Sequence, residues 1–321
     1  MKGDILDDHD KKILSLLERD YRISALEISR KVNLSRLSVS QRILKLKKRG
    51  VIQGFTIIID PNLVGLKKTV FVWVKSNPRE PWLVEELERL PECQISDGIT
   101  GEYGLLMLFK FRDGSHFTTT LPEIDNILSK SVFKKYRIME AIKTYKEYGT
   151  PLIHKNKYSN KNISLDNTDY EILRILSSQW TDRVNHITLE ELRSILKERQ
   201  IADVSKSAVY KRLKQLEDSG IIQRFSTVIN QEKVGLKLKF YVRIKGHPSA
   251  IDKIVRQHII PSKEVTDLHR LGEEYGLLAG ISVRSVREYN GFIRRLYNIE
   301  EVIDTNTMLV LEKRKYSHTY P

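Results

Sequence analysis

A single cysteine, Cys93, stands in 321 residues. It has no partner for an intramolecular bridge, so a disulfide-stapled secreted scaffold is excluded and a reducing compartment is expected. Long apolar runs are missing as well: stretches such as residues 105–109 fall far short of the roughly 18 residues needed to span a bilayer. The opening MKGDILDDHDKK has no apolar core behind its basic residue and does not read as a signal peptide. A cytoplasmic protein is therefore expected. Glycine (16) and proline (9) are modest, and 40% apolar against 30% charged residues excludes a collagen-like or wholly disordered chain. Catalytic signatures are equally scarce. The eight histidines are scattered, with no HExxH and no cysteine pair, so a zinc site has no ligand set. Neither a GxxxxGK[ST] loop nor a GxSxG elbow occurs, and no metal or cofactor is expected.

Positive charge is what the chain has in excess. Lys and Arg number 55 against 41 Asp and Glu, a formal net charge of +14. A surplus of that size points to a polyanionic partner, with a merely solvated surface as the competing explanation.

Self-comparison then reveals a period. LDxxDxxIL occurs at residues 6–14 and again at 165–173. Gly50-Val51-Ile52-Gln53-Gly54-Phe55 recurs as Gly220-Ile221-Ile222-Gln223-Arg224-Phe225, and Val64-Gly65-Leu66-Lys67 as Val234-Gly235-Leu236-Lys237. Glu102-Tyr103-Gly104-Leu105-Leu106 returns as Glu274-Tyr275-Gly276-Leu277-Leu278. Matches in one order with a slowly growing offset predict two copies of one unit, joined by a polar, basic stretch. The expected segments are 1–62, 63–149, a linker at 150–164, 165–232 and 233–321.

Within each copy the hydrophobic period changes. Ile13, Leu14, Leu16 and Leu17, like Ile172, Leu173, Ile175 and Leu176, follow helical spacing. Ser24 with Glu27, and Thr188 with Glu191, are capping-box pairs that open second helices. Third helices begin near Ser35 and Ser205 and stop at Gly50 and Gly220. Period two then takes over: Val70, Val72 and Val74 face one way, as do Phe240, Val242 and Ile244. Each copy reads as three helices followed by βαββαβ, a helix-turn-helix domain and a ferredoxin-like αβ sandwich in an α+β fold.

The third helix has the width and charge to enter a major groove. With Val39, Ile43 and Leu46 buried, the opposite face carries Leu37, Ser38, Gln41, Leu44, Lys45 and Lys48, flanked by Arg36 and Arg42. Residues 28–59 contain eight Lys or Arg and no acid. In the second copy Lys206, Ser207, Lys211, Arg212, Lys214 and Gln215 occupy the outward side, but Glu217 and Asp218 follow. Five residues are inserted between its first two helices and six between the second and third, so its reader is presented differently.

These motifs together resemble the leucine-responsive regulator (Lrp/AsnC) family of transcription factors. The likeness runs through LDxxDxxIL, Leu34-Ser35, Arg42-Ile43-x-x-Leu46, Gly50 to Phe55 and Asp60-Pro61-x-x-Val64-Gly65. The resemblance implies an N-terminal helix-turn-helix domain and a C-terminal αβ domain that dimerises and often binds an amino acid or a similar effector. It makes Ser35, Arg36, Ser38, Gln41, Arg42 and Lys45 the double-stranded DNA contacts of copy one, to which the outward helix faces add Leu37 and Lys48, and Lys206, Ser207, Lys211, Arg212 and Lys214 in copy two. It places the effector loop at Thr100, Gly101, Glu102 and Tyr103. The chain departs from the family in its tandem arrangement, in Gly104 and Gly276 where an aspartate is common, and in reading Leu271-Gly272-Glu273-Glu274 for the second loop.

Phe71 and Trp73 lie on the strand face turned away from the valines, an apolar patch that a monomer seldom leaves in water. Sheet-on-sheet pairing is expected to cover it, either between the two copies or with a second chain, and the tandem resembles an intramolecular pseudo-dimer able to dimerise again. Siroheme decarboxylases resemble the same scaffold and provide the alternative function. Their polycarboxylate substrate would need inward cations, for which Arg243, His269 and Arg270 are the candidates, set against a solvated strand end and loop. The corresponding Ser96-Asp97-Gly98 of copy one has no such group.

Overall fold

The structure, a computed structural model, describes residues 6–152, 164–178 and 186–316. The first half runs α1 (Asp8–Arg19), α2 (Ala25–Val32), α3 (Arg36–Lys48), β1 (Ile52–Ile59), β2 (Lys68–Val74), α4 (Pro81–Arg89), β3 (Cys93–Ile99), β4 (Leu105–Phe111), α5 (Gly114–Ser129), β5 (Tyr136–Glu147) and β6 (Thr150–Pro151). The second runs α6 (Asn167–Ser177), α7 (Leu189–Glu198), α8 (Lys206–Asp218), β7 (Ile222–Ile229), β8 (Leu238–Gly246), α9 (Ile251–Ile254) with a π-helical turn (Val255–Ile259), β9 (Val265–Leu271), β10 (Leu277–Val283), α10 (Val286–Tyr297) and β11 (Val302–Tyr316). Of the stretch expected as a linker, Thr150–Pro151 is strand and residues 153–163 lie outside the described residues.

Four successive domains were expected, but the chain forms two compact units. Among the described residues, 6–60 join 164–178 and 186–235, and 61–152 join 236–316. In the first unit both capping boxes are closed. Ser24 Oγ accepts from Glu27 N at 3.1 Å while Glu27 accepts from Ser24 N at 3.1 Å, and Thr188 and Glu191 repeat the exchange at 3.2 and 2.8 Å. Ile13, Ile28, Val39 and Leu46 make the core of the first three helices. Strands β1 and β7 have no counterpart in the sequence reading. Ile52–Ile59 is buried on almost every residue, so it shows a continuous apolar run where a half-exposed strand would alternate.

The two strands pair antiparallel with Thr56 opposite Ser226, residues 170 positions apart in the chain. Around them the contacts are reciprocal. Asp60 N donates to Ile221 O at 2.9 Å, and Asn230 N donates to Val51 O at 2.8 Å. Ser226 Oγ donates to Glu18 O at 2.9 Å, and Thr56 Oγ1 donates to Ser177 O at 3.2 Å.

The second unit contains two antiparallel four-stranded sheets, β5-β2-β4-β3 and β11-β8-β10-β9, each in ferredoxin-like order. Their edges also pair, β3 with β11 and β5 with β9, so eight strands close into a barrel. The long β5 and β11, of 12 and 15 residues, each begin in one sheet and end against the other. Helices α4 and α5 cover Val70, Val72, Val74 and Phe109, and α9 and α10 cover Phe240, Val242 and Ile244. The expected face-to-face pairing is thereby corrected: the halves join edge to edge. Phe71 and Trp73 are buried inside the barrel with Leu106, Leu108, Tyr241 and Leu278, and that face is not available for a further dimer. Closure removes four unpaired strand edges and covers the apolar faces in the same step.

The barrel interior is not wholly apolar. Buried Asp97 accepts from Lys239 Nζ at 2.9 Å, Tyr241 Oη at 2.6 Å and Tyr316 Oη at 2.5 Å. Burial pushes both phenols up from their ordinary pKa, which keeps their protons in place to donate. Lys110 and Glu147 form a second buried pair at 2.5 Å. Lys239→Met should lower stability by about 3–5 kcal/mol, because it leaves the buried Asp97 charge without its counter-ion. The double variant Asp97→Leu/Lys239→Met should lose clearly less. Denaturant midpoints measure both, and equal losses would contradict the pairing.

Candidate nucleic-acid interface

A three-residue turn, 33–35, separates α2 from α3, and Asn33 closes α2 in the left-handed region at φ 59°. Ser35 caps α3, its Oγ accepting from Ser38 N at 3.1 Å. Val39 and Leu46 turn inward. Arg36, Leu37 (68% exposed), Ser40, Gln41, Leu44 (44%), Lys45 and Lys48 face out, and Ser38 is half-buried. The expected contacts of the first reader therefore share one surface, with Arg42 as the exception. Arg42 Nη1 donates to Asp7 Oδ2 and Asp10 Oδ1, both at 2.7 Å. The backbone amide of Asp10, with Arg42, holds the Asp7 carboxyl below its usual range.

The second half repeats this arrangement. Arg212 Nη1 lies 2.8 Å from Asp166 Oδ2 and 2.8 Å from Asp169 Oδ1. The aspartates of LDxxDxxIL are thus the anchors that fix the third helix to the start of the first. Arg42 and Arg212, expected among the DNA contacts, are each held by two aspartates.

Seven residues, 199–205, connect α7 to α8, and α7 has 10 residues against 8 in α2, which together account for the six-residue insertion. The longer connection between α6 and α7 includes residues 179–185, which lie outside the described residues. Ser205 caps α8, accepting from Ala208 N at 3.2 Å, and its Oγ lies 2.9 Å from Ser207 Oγ. Lys206, Ser207, Lys211, Lys214 and Gln215 are exposed as expected. Tyr210, 54% exposed, lies among them. The sequence reading missed it, although it follows Ser207 by three positions and the same helical count would have found it. Glu217, the acid that set the second reader apart, bonds Arg22 at 2.8 Å, whose guanidinium lies 3.6 Å from the Phe225 ring centroid.

In the barrel unit the proposed effector loop is largely engaged. Thr100 exchanges bonds with Leu309, its N donating to Leu309 O and its Oγ1 accepting from Leu309 N, both at 2.9 Å. Gly101 adopts φ 115°, which favours glycine. Glu102 pairs with Lys135 at 2.6 Å, and Tyr103 stands edge-on to Trp73 at 5.9 Å. Gly104 and Gly276 serve for room, not for turn conformation. A Cβ at 104 would lie 2.3 Å from Ser76 Oγ, and one at 276 would lie 1.7 Å from Arg270 Nη1. An aspartate at either place would have to displace the side chain now there.

Arg243, His269 and Arg270 are not a solvated strand end. Arg243 forms a bidentate pair with Glu273 at 2.9 and 2.6 Å and stacks against Tyr275. Arg270 donates to Gly276 O at 2.9 Å. His269, 3% exposed, meets Thr144 Oγ1 at 3.1 Å and the edge of Phe71.

Comparison with known proteins bears on both units. A winged helix-turn-helix DNA-binding family profile matches residues 6–53, and an Lrp/AsnC ligand binding domain profile matches residues 239–320. A ferric uptake regulator family profile matches residues 168–242. An uncharacterized HTH-type transcriptional regulator of Pyrococcus furiosus is 33% identical over 129 residues, 85% of its own length and 38% of this chain. The HTH-type transcriptional regulator FL11 of the same organism is 25% identical over 157 residues, 96% of its length and 49% of this chain. The chain belongs to the Lrp/AsnC family of helix-turn-helix transcriptional regulators. Among solved structures, the siroheme decarboxylase NirDL shares the fold, with a TM-score of 0.65 over 98% of this chain and 94% of its own, at 13% identity. Among the described residues no helix is long and apolar enough to cross a membrane.

Burial, reinforced by Lys110 and Lys239 and opposed by Asp267, lowers the His269 pKa from 6.5 to about 4. The unfolded chain therefore takes up the proton first as pH falls below 6.5. Stability present at neutral pH is lost down to about 4, with about 2 kcal/mol of that loss between pH 7 and pH 5. His269→Gln should remove that share of the acid sensitivity in urea titrations at the two pH values; an unchanged difference would show that other groups carry it.

Proposed function

We propose that this regulator is a pseudo-dimer within one polypeptide, two copies of an Lrp/AsnC unit whose α3 and α8 read successive half-sites on double-stranded DNA. The observation that carries this reading is the outward face of α3. It combines Arg36, Gln41, Lys45 and Lys48 on a helix whose capping hydroxyl, Ser35, keeps its proton to donate to phosphate. Lys206, Ser207, Lys211 and Lys214 are the contacts of the second reader. The reciprocal bonding about Thr56 and Ser226 supports the two-fold relation, and so does a relative matched over 85% of its length by 38% of this chain. Half-sites about one helical turn apart, or a multiple of it, follow from that geometry. A small-molecule effector, an amino acid or similar, would be read at the barrel rim through Thr100, Gly101, Glu102 and Tyr103.

The decarboxylase alternative is disfavoured by the state of the barrel's cations. Arg243 faces Glu273, Lys239 faces Asp97 and Lys110 faces Glu147, so a polycarboxylate substrate would have to displace three internal acids. The visible spectrum of siroheme should stay unchanged on incubation with the protein.

Binding to a selected duplex should weaken steeply with salt, with a log-log slope of roughly −0.9 per phosphate contacted. Arg36→Ala should flatten that slope by about one contact. Gln41→Ala should leave the slope and relax base preference. Fluorescence anisotropy across a salt series tests all three, and absence of protection on any genomic fragment at low salt would end the DNA reading.

A further inference from the structure

We propose that the two readers take half-sites of different base composition: a thymine- and adenine-bearing arm under α3 and a guanine-bearing arm under α8. The inference rests on the reading that both helices enter the major groove. Along α3 the outward face includes Leu37, Gln41 and Leu44, and the same three places on α8, 170 positions on, are Ser207, Lys211 and Lys214, while nearer the C-terminal turn Lys45 is matched by Gln215. Ser40 is likewise replaced by Tyr210.

The chemistries are opposite. The only apolar group on a base edge in the major groove is the thymine methyl, and Leu37 and Leu44 are apolar side chains held in water on either side of Gln41. The Gln41 amide both donates and accepts, which fits adenine N6 and N7. Lys211 and Lys214 have ammonium groups that only donate. They match the two acceptors of guanine, O6 and N7, and leave the amino groups of adenine and cytosine unanswered. Tyr210 adds an exposed ring and hydroxyl beside them. The C-terminal turns diverge as well: α3 ends in Lys45, Lys47 and Lys48, whereas the last turn of α8 has no basic residue and Asp218 is exposed. Lys211 and Lys214, ahead of that last turn, therefore carry the base contacts of α8.

The test is selection of the full chain against a random duplex pool at moderate salt. The expected product is a two-armed site with thymine and adenine in one arm and guanine in the other. Leu37→Ser/Gln41→Lys/Leu44→Lys, which gives α3 the residues of α8 at exposed positions, should select guanine in both arms. Deoxyuridine in place of thymine in the first arm should weaken the parent protein roughly four-fold per methyl lost and leave the triple variant unaffected. A symmetric site selected by the parent chain, or indifference to deoxyuridine, overturns the inference and leaves DNA reading intact. A pool from which nothing is enriched overturns DNA reading and this inference with it.

Discussion

An open four-stranded sheet has two defects, unpaired edges and an uncovered apolar face, and in the barrel unit both are removed at once. Neither αβ half can do this alone. Each has helices on one face only, and each leaves an outer strand with free amides and carbonyls. Pairing β3 with β11 and β5 with β9 satisfies those groups, and curling eight strands shut encloses Phe71, Trp73, Tyr241 and Leu278. The length of β5 and β11 follows from this constraint, since each must begin in its own sheet and finish in the other. So does the interior chemistry: once water is excluded, Lys239 and Asp97 require each other, and the two tyrosines are held protonated beside them.

The helical unit solves a related problem with different means. A third helix that must show polar and cationic groups to solvent has a narrow buried stripe with which to hold its angle. Arg42 and Arg212 supplement that stripe, each bonded to two aspartates at the start of the first helix. With those two arginines tied to aspartates, the exposed positions at which the two helices differ are apolar or amide on α3, at Leu37, Gln41 and Leu44, and hydroxyl or cationic on α8, at Ser207, Lys211 and Lys214. The longer turn before α8 and the ion pair between Glu217 and Arg22 add to the contrast.

Much of this was legible in the chain. Capping boxes, the buried positions on α3 and α8, the strand alternation and the ferredoxin-like order all follow from local spacing. Most of the outward residues of α3 and α8 lie where a helical count puts them. Strand β1 was not legible, because burial on nearly every residue erases the alternation that marks a strand, and β7, buried at Ile222 and at Phe225 to Thr227, does not alternate either. Tyr210 was legible too, three positions beyond Ser207 on the same helix. The role of Arg42 was out of reach, because a basic residue in an acid-free run looks like part of the charge surplus until its partners, 32 and 35 positions away, are seen.

By itself, then, the sequence determined the family, the internal period and which residues a helix could offer to DNA, since those depend on spacing within a few turns of chain. Only the tertiary structure decided how the halves combine. Whether two half-covered sheets stack face to face or join edge to edge depends on hydrogen bonds between strands more than 120 residues apart, such as Thr144 and His269 or Asp97 and Lys313. No local pattern encodes that choice. It is made by the requirement that every buried edge be paired.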